Sequence, residues 1–166
     1  MEVIFQRRSI RRFTEEKVSD ELVEKLLQAA MAAPSAGNQQ PWEFIVIRDK
    51  LTFENIMQMH PYSTPLKEAD VAIVVCGNTS REIYKGYWVQ DCSAATQNIL
   101  LEAQYLGLGA VWLGVYPVEE RVLGLTNLLN LPQSVIPLSV IAIGYPAEQK
   151  GPVDRFDEAK VHYEKW

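Results

Sequence analysis

The feature that most constrains this chain is one long stretch, residues 83–106, in which apolar side chains recur at helical spacing around much of the circumference. One face of the predicted helix carries mainly small and apolar residues, namely Trp88, Ala95, Ile99 and Ala103, with Ala94 and Leu100 close by. A helix that is apolar over most of its surface is normally central and buried. Gly107 and Gly109 end it, because glycine accepts the left-handed conformation that a helix terminus needs. The chain is therefore expected to fold around one buried helix.

Shorter apolar segments on either side of this helix predict the elements that cover it. Four of them are typical of buried strands, residues 44–47, 71–76, 110–115 and 135–143. Helices are predicted at residues 3–8, 51–59 and 117–129, and in a segment that Ser19 caps and Pro34 ends. Periodicity favours helices on both faces of one sheet, as in doubly wound folds, and does not separate parallel from mixed strand order.

Length and composition narrow the class of protein. The 166 residues suit a single domain, residues 1–166, and 48% hydrophobic residues are enough for a sizeable core. No apolar run approaches the roughly 18 residues of a membrane span, and the opening MEVIFQRRSIRRF lacks the pattern of a secretory signal. A net charge of −5 argues against general nucleic-acid binding. We expect a cytoplasmic protein without membrane or nucleic-acid partners.

Cysteine and histidine usage argues against a metal site. Cys76 and Cys92 are too few and too far apart for a metal box or a disulfide framework, and both fall in apolar segments typical of inert core thiols. Two histidines, His60 and His162, are too few to favour a zinc enzyme. His60 either lines a substrate pocket or is a capping or loop histidine, and the second role is the commoner one.

Four arginines cluster near the start of an otherwise acidic chain: Arg7, Arg8, Arg11 and Arg12. With Ser9 between them they can hold one anion, because guanidinium forks match phosphate oxygens and serine adds a neutral hydrogen bond. The alternative is a solvated basic face paired with Glu15 and Glu16, and a charge run taken alone is more often of that kind. Lys150 or Arg155 can complete an anion pocket if the tail folds back, although a lone lysine such as Lys150 is more often simply exposed.

Two glycine-containing segments are further candidates for ligand contact. Residues 33–42, APSAGNQQPW, can bring backbone close to a planar ligand, but the same residue types make ordinary turns. The large apolar side chain of Trp42, at the end of this loop, is expected to pack inside the protein. Residues 107–115, GLGAVWLGV, are not a dinucleotide fingerprint, because the glycines precede a strand and Trp112 stands where the third glycine belongs. Gly114 at the end of that strand can still present a backbone N–H to a ligand.

The remaining polar and aromatic positions have simpler interpretations. Asp91 inside the long helix needs a partner, and a structural hydrogen bond is favoured over acid–base catalysis. The polar tail from residue 145 carries three aromatic residues, Phe156, Tyr163 and Trp166, which predict that it docks on another surface such as a second subunit. The sequence contains no Ser-His-Asp order, paired catalytic carboxylates or Walker loop.

Taken together, the order and spacing of these segments resemble the FMN-dependent nitroreductase family. The resemblance is carried by RRSIRRF, APSAGNQQPW, DCSAATQNILLEA, GLGAVWLGV and the closing DRFDEAKVHYEKW, and it covers essentially the whole chain. It implies an α+β sandwich, with a mixed, largely antiparallel sheet flanked by helices. It also implies a domain-swapped homodimer with two FMN molecules at the subunit interface.

The resemblance also implies a role for each candidate residue. Arg7, Arg8 and Ser9 match the family's contacts to the FMN phosphate and ribityl chain, and Arg155 matches the C-terminal basic position at the phosphate, with Lys150 beside it. Arg11 matches the basic position near the flavin N1–O2 edge, where positive charge stabilises the anion formed on reduction. The loop reaching FMN from the other subunit matches Pro34, Ser35, Ala36 and Asn38. The segment whose backbone faces N5 matches Leu113 and Gly114.

The activity implied is hydride transfer from NAD(P)H through flavin N5 to nitroaromatics, quinones or similar electron-poor small molecules. No catalytic side chain is then required, because the flavin carries the redox chemistry. Residues 57–65 are expected to line the substrate pocket. Two alternatives stay open: a specialised branch of the family, such as dehalogenation or flavin breakdown, and a flavin-binding carrier, store or sensor with little turnover.

Overall fold

The computed structural model describes residues 2–166, which form a four-stranded sheet with helices packed on both faces. The strands are β1 (Trp42–Ile47), β2 (Val71–Asn78), β3 (Gly109–Gly114) and β4 (Val135–Gly144). The helices are α1 (Glu2–Gln6), α2 (Asp20–Met31), α3 (Lys50–Met59), α4 (Trp88–Tyr105) and α5 (Glu119–Leu128). None of the helices within residues 2–166 has both the length and the apolar character needed to cross a membrane.

The strand order is β1-β2-β4-β3, and each neighbouring pair is antiparallel. This confirms the α+β class with a largely antiparallel sheet. Helices lie on both faces as periodicity favoured, but the strands do not have the parallel order of a doubly wound fold. One parallel pairing is also present, an isolated bridge between Ser9 and Ala110 at the edge of β3, so the strand pairing is mixed. Periodicity could not decide the matter, because a strand buried on both faces has the same apolar pattern in either direction.

Two apolar cores, one on each face of the sheet, explain why β2 and β4 are almost continuously apolar. Successive side chains of a strand point to opposite faces. Ile73 and Ile141 accordingly pack in the core formed with α2 and α4, whereas Val74 and Val140 pack in the core formed with α3 and α5. The long apolar helix α4 is buried as predicted, with Ile99 fully enclosed.

The start of α4 differs from the prediction, since the helix begins at Trp88 and not at residue 83. Thr79–Arg81 forms a short 3-10 turn, and Gly86 adopts φ +88°, a conformation that cannot continue an α-helix. The Glu82 carboxylate accepts hydrogen bonds from the N–H groups of Gly86 (2.9 Å) and Trp88 (3.1 Å) and so caps the helix. Helical spacing alone does not reveal this cap, because the aromatic residues before Trp88 continue the apolar pattern.

The helix before the predicted ligand loop follows the sequence closely. The Ser19 hydroxyl accepts a hydrogen bond from the Leu22 N–H at 3.3 Å, which confirms the predicted cap of α2, and the helix ends at Met31, ahead of Pro34. Helix α1 ends at Gln6 and not at residue 8, because Ser9 next joins the β3 edge, where the backbone must be extended. The basic run therefore begins outside the helix.

Two glycines allow the segment after α1 to lie against the sheet. The Ile10 N–H donates to the Ala110 carbonyl at 3.0 Å. A Cβ at Gly109 would lie 2.6 Å from Ile10 Cγ2, and one at Gly144 would lie 3.0 Å from Phe13 Cδ1. A Cβ at Gly109 would therefore force Ile10 to move, and one at Gly144 would press on Phe13, so both glycines favour this path of the N-terminal segment.

Replacing Gly109 with Ala should lower the free energy of unfolding by about 1–3 kcal/mol, because the new methyl group must displace Ile10. Gly114, at the other end of β3, is the matched control, since nothing lies within 4 Å of a Cβ there. Urea unfolding of the two variants near neutral pH makes the comparison. Equal losses of stability in both variants would contradict the close packing at Gly109.

Candidate functional site

Six residues from the two ends of the chain line one cavity of about 360 Å³: Arg7, Arg8, Ser9, Arg11, Lys150 and Arg155. The tail therefore folds back onto the segment after α1, as an anion pocket requires. Arg12 lies apart from this cavity and pairs with Glu68 at 2.9 Å. The basic run thus divides: three of its arginines line the cavity, and the fourth makes a surface ion pair.

The cavity concentrates positive charge. The pKa of Arg7 is lowered by burial and by the positive charges of Arg155 and Arg8, although a guanidinium stays protonated at any ordinary pH. Among the ion pairs of residues 2–166, none involves Arg7, Arg11 or Arg155. Like charges held this close repel one another, so an anion in the cavity is strongly favoured.

Lys150 and Arg8 also hold the tail in place. The Lys150 ammonium donates to the Ser9 carbonyl and to the Glu148 carboxylate, each at 2.9 Å. Glu148 also accepts the Arg11 backbone N–H at 2.6 Å, and this bond, with Lys150, lowers the pKa of Glu148. The Arg8 guanidinium donates to the Gly151 carbonyl. Lys150 is therefore neither simply exposed nor fully available to a ligand.

The predicted ligand loop is held by a buried carboxylate. Asp91, 4% exposed in the first turn of α4, accepts the Ala36 N–H at 2.9 Å and the Gln39 Nε2–H at 2.7 Å. The side-chain oxygen Oε1 of Gln39 in turn accepts the backbone N–H groups of Ile83 (2.9 Å) and Tyr84 (3.0 Å). This confirms the structural role predicted for Asp91. Gln39 was not singled out, because its role depends on a segment more than forty residues away, whose fold the sequence does not reveal.

The loop itself has an unusual backbone. Gly37, Asn38 and Gln40 all have positive φ, and a Cβ at Gly37 would lie 2.2 Å from the Tyr84 ring. Ser35 Oγ accepts the Gln40 N–H, and Asn38 Oδ1 accepts a Gln40 side-chain N–H, both at 3.0 Å. Internal hydrogen bonds and Tyr84 thus give this loop one shape.

The loop and the cationic cavity are separate within one chain. None of the candidate loop residues lines the cavity, and Leu113 and Gly114 do not line it either; the four loop residues concerned are Pro34, Ser35, Ala36 and Asn38. The structure thus brings together six of the twelve predicted site residues. A ligand that touches the other six must extend beyond the cavity or meet a second copy of the chain.

Gly114 ends β3 beneath two hydrogen-bond donors. His60 Nε2 lies 2.7 Å from the Gly114 carbonyl oxygen, and Arg121 Nη1 donates to the same oxygen at 2.9 Å. His60 is 2% exposed, and its Nδ1 accepts the Tyr62 N–H at 3.2 Å, which places its proton on Nε2. Of the two roles considered for His60, the structure supports a packed histidine that ends α3. Arg121 was missed, because nothing in its sequence surroundings links it to Gly114.

The cysteines and the acidic groups offer no further site. Cys76 and Cys92 are buried, and burial raises the pKa of Cys76 to about 12 and that of Cys92 further still. Both thiols are therefore protonated and unreactive at ordinary pH. Within residues 2–166, no group of three or more His, Cys, Asp or Glu side chains is arranged to hold a metal ion.

The free energy of unfolding should decrease as the pH falls below about 6.5, because His60 is neutral in the fold. Burial lowers the pKa of His60, and the Arg121 charge lowers it further, against the opposing effect of the bond to Gly114. The unfolded chain therefore takes up this proton first, and the loss ends once the pH is below the folded-state pKa. Above about 6.5 the residue is neutral in both states and contributes nothing.

Urea unfolding across this pH range, compared with His60→Gln, isolates the effect. Gln can still donate to Gly114 and accept from Tyr62 but does not titrate, so its curve should be flatter between neutral pH and about pH 5. Superimposable pH dependences of the two proteins would show that His60 does not carry the effect.

Comparison with known proteins finds relatives that match most or all of this chain. The profile described as Nitroreductase family matches residues 4–59 and 57–145. A provisionally named NADH dehydrogenase/NAD(P)H nitroreductase of Methanothermobacter thermautotrophicus is 53% identical over 166 residues, which is 100% of this chain and 87% of that protein.

Solved structures agree with this match. An FMN-dependent nitroreductase of Clostridium difficile R20291 is 31% identical, with a TM-score of 0.91 over 99% of this chain and 98% of that one. A provisionally named nitroreductase of Desulfovibrio desulfuricans in complex with FMN is 37% identical, with a TM-score of 0.85 over 99% and 95% of the two chains. The profile and the 53% identity together establish that this chain belongs to the nitroreductase family.

Proposed function

We propose that residues 1–166 form a single FMN-binding domain that oxidises NAD(P)H and reduces an electron-poor small molecule, working as a cytoplasmic homodimer. The observation that carries this proposal is the cavity lined by five cationic side chains and Ser9, in a member of the nitroreductase family. A phosphate dianion with a polyhydroxylated chain fits this donor set, because guanidinium groups bind phosphate bidentately and the serine hydroxyl bonds a neutral oxygen.

The cavity residues divide the work of holding FMN. Arg7 and Arg155, which lack carboxylate partners, bind the phosphate, and Arg8 and Lys150 add charge while they hold the tail. The Ser9 hydroxyl bonds the ribityl chain. Arg11 supplies positive charge to the ring edge, where it stabilises negative charge gained on reduction.

The end of β3 accommodates the ring. Gly114 has neither a positive φ nor any neighbour within 4 Å of a Cβ, so its packing within the chain does not require glycine. The missing side chain leaves the Leu113–Gly114 backbone open to a planar group. Bound FMN supplies the hydride-transfer chemistry, and the protein supplies orientation and electrostatics.

A second copy of the chain would cover the apolar surface that is exposed in a single copy. Residues 151–166 are exposed throughout, with Phe156 79% exposed and Trp166 fully exposed. Phe5 in α1 is 67% exposed and, like Phe156, lines a cavity of about 820 Å³. Exposed apolar surface of this extent marks an interface. In the proposed dimer the part of the tail beyond Arg155 packs on the partner chain and covers this surface, and the partner's loop, residues 34–38, reaches the ring.

The substrate pocket is proposed to lie beside Gly114. Residues 57–65 reach this point through His60, and Tyr62 is 72% exposed with Arg121 against its ring, 5.6 Å from the centroid. An exposed aromatic ring over a cation is suited to flat, electron-poor molecules. Nitroaromatics and quinones are the proposed oxidants.

Purified protein should show flavin absorption bands that bleach when NADH or NADPH is added without oxygen. Reoxidation by a nitroaromatic or a quinone should then restore the bands and identify the oxidant class. Bands that persist with both nucleotides would support a carrier or sensor in place of a reductase. A protein that takes up no FMN would refute the proposal.

Arg155→Ala and Arg7→Ala test the phosphate site in the same experiment. Each should weaken FMN binding by at least about tenfold, since a hydrogen bond to a charged group contributes about 1.5–3 kcal/mol. Arg12→Ala is the matched control, because Arg12 belongs to the same basic run but pairs with Glu68 outside the cavity. Equal affinities in all three variants would remove the phosphate from this cavity.

A further inference from the structure

The Gly114 carbonyl receives two hydrogen bonds from separate elements. His60, at the end of α3, and Arg121, in the first turn of α5, both donate to its oxygen, at 2.7 and 2.9 Å. A carbonyl oxygen has two lone pairs, so these two donors use its full capacity. Tyr62 fixes the imidazole by donating its N–H to Nδ1 at 3.2 Å.

The register of the sheet shows where this carbonyl points. The Val115 N–H donates to the Leu138 carbonyl at 3.0 Å, so Val115 and alternate residues before it direct their polar groups towards β4. Gly114 directs its own N–H and carbonyl to the opposite side. Because β3 is an edge strand, that side is the outer edge of the sheet, which the N-terminal segment pairs with at Ala110 and not at Gly114. A donor and an acceptor thus lie next to each other at the proposed ring position.

The two bonds change what this edge offers to a ligand. With the acceptor occupied, the Gly114 N–H is the group that remains for recognition, and it suits an acceptor atom. Arg121 adds a fixed positive charge 2.9 Å from the carbonyl oxygen, whereas His60 is neutral. At this end of β3 a ligand therefore meets one hydrogen-bond donor, the Gly114 N–H, and the nearby positive charge of Arg121.

We propose that His60 and Arg121 are positioning residues: they occupy the Gly114 carbonyl oxygen, so that only the Gly114 N–H is available to a ligand. The positive charge of Arg121 also favours the reduced form of bound FMN. This inference rests on the proposed function. The family resemblance implies a similar electrostatic role for Arg11, but Arg121 lies on another element, and its charge acts through space from beside the Gly114 carbonyl. Its effect is expected on the redox balance more than on the affinity for oxidised FMN, since the phosphate is held elsewhere.

Two substitutions at Arg121 separate charge from hydrogen bonding. Arg121→Gln keeps a donor and loses the charge, and it should lower the ratio of reduced to oxidised FMN affinity about tenfold, equivalent to a midpoint potential about 30 mV lower for a two-electron couple. Arg121→Lys keeps the charge and should stay close to the wild-type potential. Arg12→Gln is the control for loss of one arginine outside the site.

The potential is measured against a reference dye in FMN-loaded protein, with thermal unfolding as the check that each variant folds. His60→Leu is a second test, because it removes one donor to Gly114 and should alter the visible spectrum of bound FMN. His60→Gln keeps a donor and should show the wild-type spectrum. A wild-type potential in Arg121→Gln together with a wild-type FMN spectrum in His60→Leu would overturn this inference alone. Failure of the wild-type protein to bind FMN would instead overturn the proposed function, and this inference with it.

Discussion

The candidate site depends on how the N-terminal segment is seated against the edge of β3. The Ile10 N–H bonds to Ala110, and Ile10 and Phe13 fill the space left by Gly109 and Gly144. This packing holds a row of arginines in a position that their mutual repulsion opposes. Glu148 supplies a compensating charge, and it is bound to the Arg11 backbone and to Lys150. Apolar packing and one carboxylate thus hold the cationic side chains together before any ligand enters.

Two further sets of buried polar groups support the surrounding backbone. Asp91 and Gln39 give the loop after α2 its shape, and His60 and Arg121 fix the end of β3. Neither set lines the cationic cavity. In the proposed dimer they orient the parts of the site that reach the ring, whereas the arginines hold the phosphate. The chemistry then needs no acid or base from the protein, which agrees with the absence of such a constellation from the sequence.

Local sequence signals predicted the elements well and their arrangement poorly. The Ser19 cap, the four strands and the burial of α4 follow from propensity and apolar spacing, which act over short distances. Strand direction and the capping of α4 by Glu82 do not, because they depend on contacts that spacing does not encode. The antiparallel order was available only through resemblance to a family.

The candidate site residues divide in the same way, into those with a local sequence signal and those that depend on contacts distant in sequence. The motifs drew attention to Arg7 and Arg11, which line the cavity, and to the loop after α2, which does not, because unusual residue types occur there in short runs. Gln39 and Arg121 were not found, since each acts on backbone distant in sequence and has no distinctive neighbours. Arg12 could not be separated from the other arginines by sequence, because only its pairing with Glu68 distinguishes it.

Comparing the affinities of FMN and riboflavin for the wild-type protein tests the central claim most directly, since the two ligands differ only in the phosphate. With at least two charge-assisted contacts to the phosphate, FMN should bind at least about 100-fold more tightly than riboflavin. Similar affinities for the two ligands would contradict the assignment of the cationic cavity to the phosphate.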